Sequence, residues 1–322
     1  MSSGRPSTTT PGKTRFDDIY NQPDPRAYFH RLAPLEYEIP HHGQAVFRRA
    51  RADRAAAYGT DARVTVLDLC CSYGINAALL NHDLTLAELY EHYTGPEAES
   101  LTTAELIEAD KEFYASRRRP DSTPVIGLDA ADQAVQYALD VGLLDEAYAE
   151  NLEQAPPGPD LRRAVGRTGL ITVTGGIGYI TKSTFEALLG CAEVPVWVYA
   201  FVLRTVPYHP VVAALSAFGL VTETDPARTY PQRLFSDSAE QRYAIKQARL
   251  AGHSPTGLET AGRYHTQLYW SRPCTVCGPS APGRPAGAAG RMRRGRSRQH
   301  VLEAEGASGK ARSSPPWNPL WA

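Results

Sequence analysis

The chain has 322 residues, 42% of them hydrophobic and 21% charged, with a formal net charge of -1. That composition is ordinary for a soluble globular protein with one large domain, and near-neutrality argues against a nucleic-acid-binding body, although the last fifty or so residues are strongly basic. Five cysteines without framework spacing exclude a disulfide-stapled secreted fold, the first residues lack the apolar core of a secretory signal, and the longest apolar run, 194–203, is half the ~20 residues a membrane crossing needs. The expected location is therefore cytoplasmic.

Residues 1–15 are rich in Ser, Thr, Pro and Gly and read as disordered. From 16 to 60 the text is aromatic, with Phe16, Tyr20, Tyr28, Phe29, Tyr37 and Phe47, and is broken by Pro23, Pro25, Pro34 and Pro40. It is too irregular for one long helix and reads as a helical cover packed over the cleft of the domain that follows, residues 61–273.

That domain opens with the run VTVLDL at 64–69, a buried strand, followed by a turn of small residues at 70–74 and the start of a helix. An insertion of about forty residues carries two S/T-x-x-E capping boxes, Thr85 with Glu88 and Thr102 with Glu105, each opening a helix. Arg117, Arg118 and Arg119 close the second, where the helix dipole favours cations. A second strand at 124–129 ends in Asp129, and a helix over 132–141 turns Ala134, Val135, Ala138 and Leu139 inward before Gly142 stops it.

Further strands are expected at 148–152, 170–173, 194–203, 220–223 and 264–270, and helices at 181–189, 210–218 and 238–250, with a Pro/Gly loop at 156–159. Strands alternating with helices imply an α/β fold, a doubly wound and mostly parallel sheet covered on both faces. Residues 274–322 have almost no core-forming content and read as a disordered basic tail, so biased in composition that a shifted reading frame near Cys274 would account for it. Cys274 and Cys277 form only half a zinc site, and no metal is expected.

A strand, a small turn and a helix suit three ligands: a dinucleotide, a nucleoside triphosphate or S-adenosylmethionine. A dinucleotide fingerprint needs G-x-G-x-x-G, which Cys70, Ser72 and Tyr73 do not supply, and the nearest phosphate-loop match, at Lys182 and Ser183, lacks its glycine and lies late in the chain. What remains is Asp68 inside the first strand, a turn ending in Gly74 and Asp129 ending the second strand.

In these features the sequence resembles the class I S-adenosylmethionine-dependent methyltransferases over residues 16–273. VLDLCCSYG is similar to their first motif in the strand, Asp68 and Gly74, with Cys70 and Ser72 where glycine is usual, and GLDAADQAVQYA is similar to the second, with Asp129 in the key position. The resemblance implies a Rossmann-like sheet of seven strands, the last antiparallel, and S-adenosylmethionine as cofactor. It implies that Asp129, with Ala130 beside it, takes the ribose hydroxyls, Asp68 orients the methionine end, Cys70 and Gly74 shape the turn, Asn151 and Leu152 border the adenine, and Thr174 and Gly175 face the sulfonium. The cysteine pair reads as small buried thiols rather than nucleophiles.

Methyl transfer to oxygen or nitrogen needs a base only when the acceptor arrives protonated; His42, Tyr208 and His209 are the candidates. The implied function is methylation of a small molecule, with no membrane or nucleic-acid partner and a homodimer left open. The rival is the same fold without methyl transfer, as a partner subunit or turned to cyclisation or elimination.

Overall fold

In the computed structural model the described residues are 19–59 and 63–274. The expectations for residues 1–15 and 275–322, including Cys277, lie outside them, as does Phe16. The apolar run after Arg63 forms β1 (Thr65–Leu69), which is flanked on one side by β2 (Val125–Asp129) and on the other by β4 (Thr168–Thr174), both parallel to it. Beyond β2 lies β3 (Glu146–Ala149), and beyond β4 lies β5 (Trp197–Leu203). The antiparallel β8 (Arg263–Pro273) follows, then β6 (Leu220–Thr224), so the sheet runs β3-β2-β1-β4-β5-β8-β6.

An eighth strand, β7 (Tyr230–Leu234), was not anticipated. It pairs with the first half of β8 while β6 pairs with the second, which is why β8 is eleven residues long rather than seven. The third strand lies earlier than the expected 148–152. Part of the stretch read as loop is α8 (Pro159–Gly166), whose proline sits in the first turn, where no amide is needed.

Both faces of the sheet are covered, as its near-continuous apolar strands require. One face, bearing Val66, Leu170, Tyr199 and Phe201, packs against the N-terminal segment, α3 (Ile75–Asn81) and α7 (Asp132–Asp140). The other, bearing Leu67, Ile126, Ile171 and Val198, packs against α8, α9 (Lys182–Leu189) and α10 (His209–Ala217). The insertion supplies α4 (Leu86–Thr94), α5 (Pro96–Ser100) and α6 (Thr103–Ala115), with both capping boxes formed as expected. Asp110 of α6, fully buried, accepts hydrogen bonds from His92 (2.7 Å) and from Tyr93 (2.5 Å) of α4 and from Tyr137 of α7, tying the insertion to the sheet. Near the end of the domain α11 (Ser238–Leu250) starts at the Asp237 cap.

The N-terminal segment is a cover of helices, as expected, with one of them longer than its prolines suggest. After the short α1 (Arg26–Leu32), twenty residues form one helix, α2 (Ile39–Tyr58), because Pro40 occupies its first turn and Gly59 ends it in a left-handed conformation. Its aromatics are core residues: Tyr28, Phe29 and Phe47 are all buried, with Phe29 stacked on Tyr93 at 4.7 Å.

Ahead of α1, residues 19–25 form a strap. The Tyr73 hydroxyl accepts from the Gln22 amide (2.8 Å) and faces the Ile19 carbonyl (3.1 Å), while the Asn21 side chain bonds Asp132 and the Gln133 amide at the start of α7, each at 2.8 Å. Asp24 pairs with Arg26 (2.6 Å) and accepts from Thr103 (2.7 Å). Tyr73→Phe therefore removes the strap's buried anchor, worth about 1 kcal/mol. Hydrogen exchange at the Gln22 amide is expected to accelerate about fivefold with the strand amides unchanged; unchanged exchange at Gln22 would contradict this role.

Candidate functional site

Asp129 ends β2 with its carboxylate turned onto the chain that leaves β1. The Ser72 amide donates to Oδ2 (2.9 Å) and the Ala131 amide to Oδ1 (3.1 Å), so one side chain holds both the turn after β1 and the entry to α7. Burial pushes its pKa up, while the amides of Ser72, Ala131 and Ala130 oppose that shift. A carboxylate has roughly four lone-pair sites. The three amides leave capacity for a hydroxyl donor.

The turn itself resolves how Cys70 and Ser72 stand in for glycine. Both adopt left-handed backbone, φ 60° and 48°, as does Gly74 at 75°, at about 1 kcal/mol for each non-glycine residue. Space for the side chains comes from glycines on facing segments. A Cβ at Gly176 would lie 2.6 Å from Cys70 Sγ, and one at Gly127 would lie 2.9 Å from Cys71 Sγ. Cys70 thus packs toward the α8, α9 and α10 face, and burial raises both thiols well above their ordinary pKa, which removes them as nucleophiles.

Asp68, 1% exposed, accepts at Oδ1 from Asn76 (2.9 Å) and Thr172 (3.1 Å), and its Oδ2 has no hydrogen-bond partner among the described residues. Burial pushes its pKa up to about 7 against those two hydrogen bonds, helped by the charge of Asp129. Asn76 also donates to Thr174 Oγ1 (2.9 Å), linking Asp68 to the end of β4. Gly175 follows at φ 74°, and a Cβ there would lie 3.1 Å from the Tyr37 hydroxyl and 3.5 Å from Gln232 Nε2. Asp68, Cys70, Gly74, Asp129, Thr174 and Gly175 therefore gather at the C-terminal ends of β1, β2 and β4, where open parallel sheets take ligands. Ala130 lies partly exposed beside Asp129. Asn151 and Leu152 follow β3, but Leu152 is buried in the core with Leu161 and Phe185, and the Asn151 side chain accepts from the Glu153 amide (3.0 Å).

The three candidate bases are not brought together. His42 lies near the start of α2, its ring 5.5 Å from Tyr230, and its neighbour Gly43 faces Thr174. Its Nε2 has no hydrogen-bond partner among the described residues; the Glu38 carboxylate is 3.9 Å away. Burial, then His41 and Arg228, lower its pKa, which favours the neutral ring. Tyr208 is buried against Tyr269 on the opposite face of the sheet, and His209 is exposed at the start of α10. Sequence reasoning missed Asn76, Tyr37 as a site residue, and Tyr230 and Gln232 on β7. Among the described residues no three His, Cys, Asp or Glu side chains gather as a metal site, and no helix is long and apolar enough to cross a membrane.

Two predictions follow from this geometry. Gly176→Ala forces Cys70 out of its place and is expected to destabilise the protein by about 1–3 kcal/mol in urea unfolding, with Cys70→Gly restoring most of the loss. Additive effects of the two substitutions would contradict the pairing. For Asp68, a folded-state pKa raised above the unfolded value means that the native protein holds the extra proton, so stability falls as pH rises from the usual carboxylate range to about 7 and then levels off. Asp68→Asn is expected to flatten that fall between pH 5 and pH 8; an identical slope in wild type and variant would contradict it.

No protein-family model matches the sequence, and no curated protein matches it significantly. Among solved structures, it is similar to the magnesium protoporphyrin IX methyltransferase of Synechocystis PCC 6803 with bound S-adenosylmethionine, at 13% identity over 82% of this chain and 87% of that one, with a TM-score of 0.35. It is similar to the plantazolicin methyltransferase BpumL in complex with S-adenosylhomocysteine, at 10% identity over 80% and 93%, TM-score 0.39. It is also similar to the [4+2]-cyclase SpnF, at 10% identity over 70% and 80%, TM-score 0.35. The fold is set by the strand order itself: a parallel β3-β2-β1-β4-β5 core with the antiparallel β8 inserted before β6. The chain has the fold of the class I S-adenosylmethionine-dependent methyltransferases.

Proposed function

We propose that the protein binds S-adenosylmethionine at the C-terminal edge of β1, β2 and β4 and methylates an oxygen or nitrogen of a small molecule. The observation that carries this reading is the buried, unpartnered Oδ2 of Asp68 beside a turn held by Asp129. A buried polar atom without a partner is costly and calls for a ligand or a water. An acceptor oxygen suits the ammonium of the cofactor's methionine end, and the spare lone pair of Asp129 suits a ribose hydroxyl. Ala130 and Asn151 border the adenine on this reading, while Thr174 and Gly175 face the sulfonium.

The cofactor supplies a methyl group already activated on sulfur: its carbon bonds to the acceptor's lone pair as the bond to sulfur breaks and the electron pair stays on sulfur. The protein's part is to position the acceptor and take its proton. His42, favoured as the neutral ring and with Nε2 unpartnered among the described residues, is the one candidate base on the same side of the sheet as Asp68 and Thr174. A second reading, the fold without methyl transfer, is favoured by the engagement of both Asp129 oxygens by backbone amides and by side chains on the turn where bare backbone would admit a ligand more closely.

Calorimetric titration with S-adenosylmethionine and S-adenosylhomocysteine separates the two. Micromolar binding weakened about tenfold, or ~1.4 kcal/mol, by Asp129→Asn is expected. The affinity for S-adenosylmethionine should rise as Asp68 ionises near pH 7, and Asp68→Asn should abolish that rise. No binding at millimolar ligand would overturn the cofactor assignment.

A further inference from the structure

The strand absent from the sequence reading carries a feature that cofactor binding does not use. β7 and β8 slip register between Pro231 and Arg233, so Gln232 is the extra residue of a β-bulge. Bulges beside functional sites re-aim a side chain that regular pairing would send elsewhere. Here the bulge is pinned to the start of α2, because the Gln232 carbonyl accepts from the Glu38 amide (2.8 Å). The side chain is 2% exposed, and its Nε2 lies 3.5 Å from the position a Cβ would take on Gly175. Its Oε1 has no hydrogen-bond partner among the described residues.

Flat rings stand near Gly175 and along β7. The Tyr37 hydroxyl meets the same point over Gly175, at 3.1 Å, and Tyr230, two residues along β7, faces the His42 ring at 5.5 Å. Tyr230 also stands edge-on to Phe201, with ring centroids 5.0 Å apart. An unpartnered acceptor beside Gly175 in the loop after β4, on a strand that also carries Tyr230, selects two properties at once. It favours a ligand that donates a hydrogen bond, because a ligand lacking the donor leaves the buried oxygen unpaired. It favours a planar ligand, because aromatic rings pack best against another ring, offset or edge-on.

We infer that Gln232 reads the methyl acceptor, and that the acceptor is an aromatic ring bearing a hydroxyl or ring N–H, bounded by Tyr37, Tyr230, His42 and Gly175. This rests on the methyltransferase reading for the word acceptor, while the binding preference itself does not. Gln232 is a specificity residue: its oxygen takes the ring's donor hydrogen and holds the ring in place.

Three probes of similar size test the inference by NMR titration of the Gly175 and Gln232 amides: phenol, anisole, which keeps the ring without the donor, and cyclohexanol, which keeps the donor without the flat ring. Wild-type protein is expected to bind phenol about tenfold more tightly than either of the others. Gln232→Met should erase the preference of phenol over anisole and should melt no lower than wild type, since it removes an unpaired buried oxygen; a structural glutamine would lower the melting temperature and leave the preference intact. Gln232→Glu keeps an acceptor and should retain the preference even if Gln232→Met folds poorly.

Equal binding of phenol and anisole to wild type, survival of the preference in Gln232→Met or its loss in Gln232→Glu would each overturn the inference. S-adenosylhomocysteine binding, measured in parallel, separates the two readings. A phenol preference without cofactor binding removes the methyltransferase reading and keeps the subsite. Cofactor binding without the preference does the reverse.

Discussion

The carboxylate of Asp129 is the contact on which the functional end of this molecule depends. It joins three elements that are distant in the chain: β2, to which it belongs; the turn after β1, through the Ser72 amide; and the entry to α7, through the Ala131 amide. Each is a charge-assisted hydrogen bond in a partly buried setting, among the stronger single contacts a fold can make. The turn needs that support, because Cys70 and Ser72 hold backbone conformations that favour glycine. The N-terminal strap then closes over the same corner, with Asn21 bonded to Asp132 and to the Gln133 amide only three and four residues beyond Asp129.

Much of the architecture was legible because its signals are local. The apolar runs of β1, β2, β4 and β5 read directly as buried parallel strands, and the Thr85 and Thr102 capping boxes each opened the expected helix. Asp68, Gly74 and Asp129 were legible as a constellation because their places are tied to strand ends. What failed was context. In isolation Pro40 and Pro159 read as breakers, yet a proline in the first helical turn costs nothing and opens α2 and α8. The strand β7, YPQRL, has no apolar alternation, and it exists because β8 is long enough to pair with two strands in succession.

The least legible part was the turn. From the chain alone, Cys70 and Ser72 looked like a defect in a glycine-rich loop. In the fold, room for the two thiols comes from across the space: a Cβ at Gly176 would crowd Cys70, and one at Gly127 would crowd Leu144 and Cys71. Pairs separated by more than fifty residues carry no local signature, and only the packed sheet shows that the side-chain volume moved from one segment to its neighbour. The same is true of the catalytic candidates. His42, Tyr208 and His209 are equivalent as letters, but the sheet separates them, leaving His42 beside Tyr230 on α2 and burying Tyr208 on the far side.

The central claim is that this corner, the Asp129 carboxylate with the turn it holds and the unpartnered oxygen of Asp68, is a site for an adenosyl cofactor. Amide chemical shifts during titration with S-adenosylhomocysteine test it most directly. Saturable shifts are expected to concentrate at Ser72, Gly74, Ala131 and Gly175, at the ends of β1, β2 and β4. Saturable shifts elsewhere on the molecule with these four amides unmoved would contradict it.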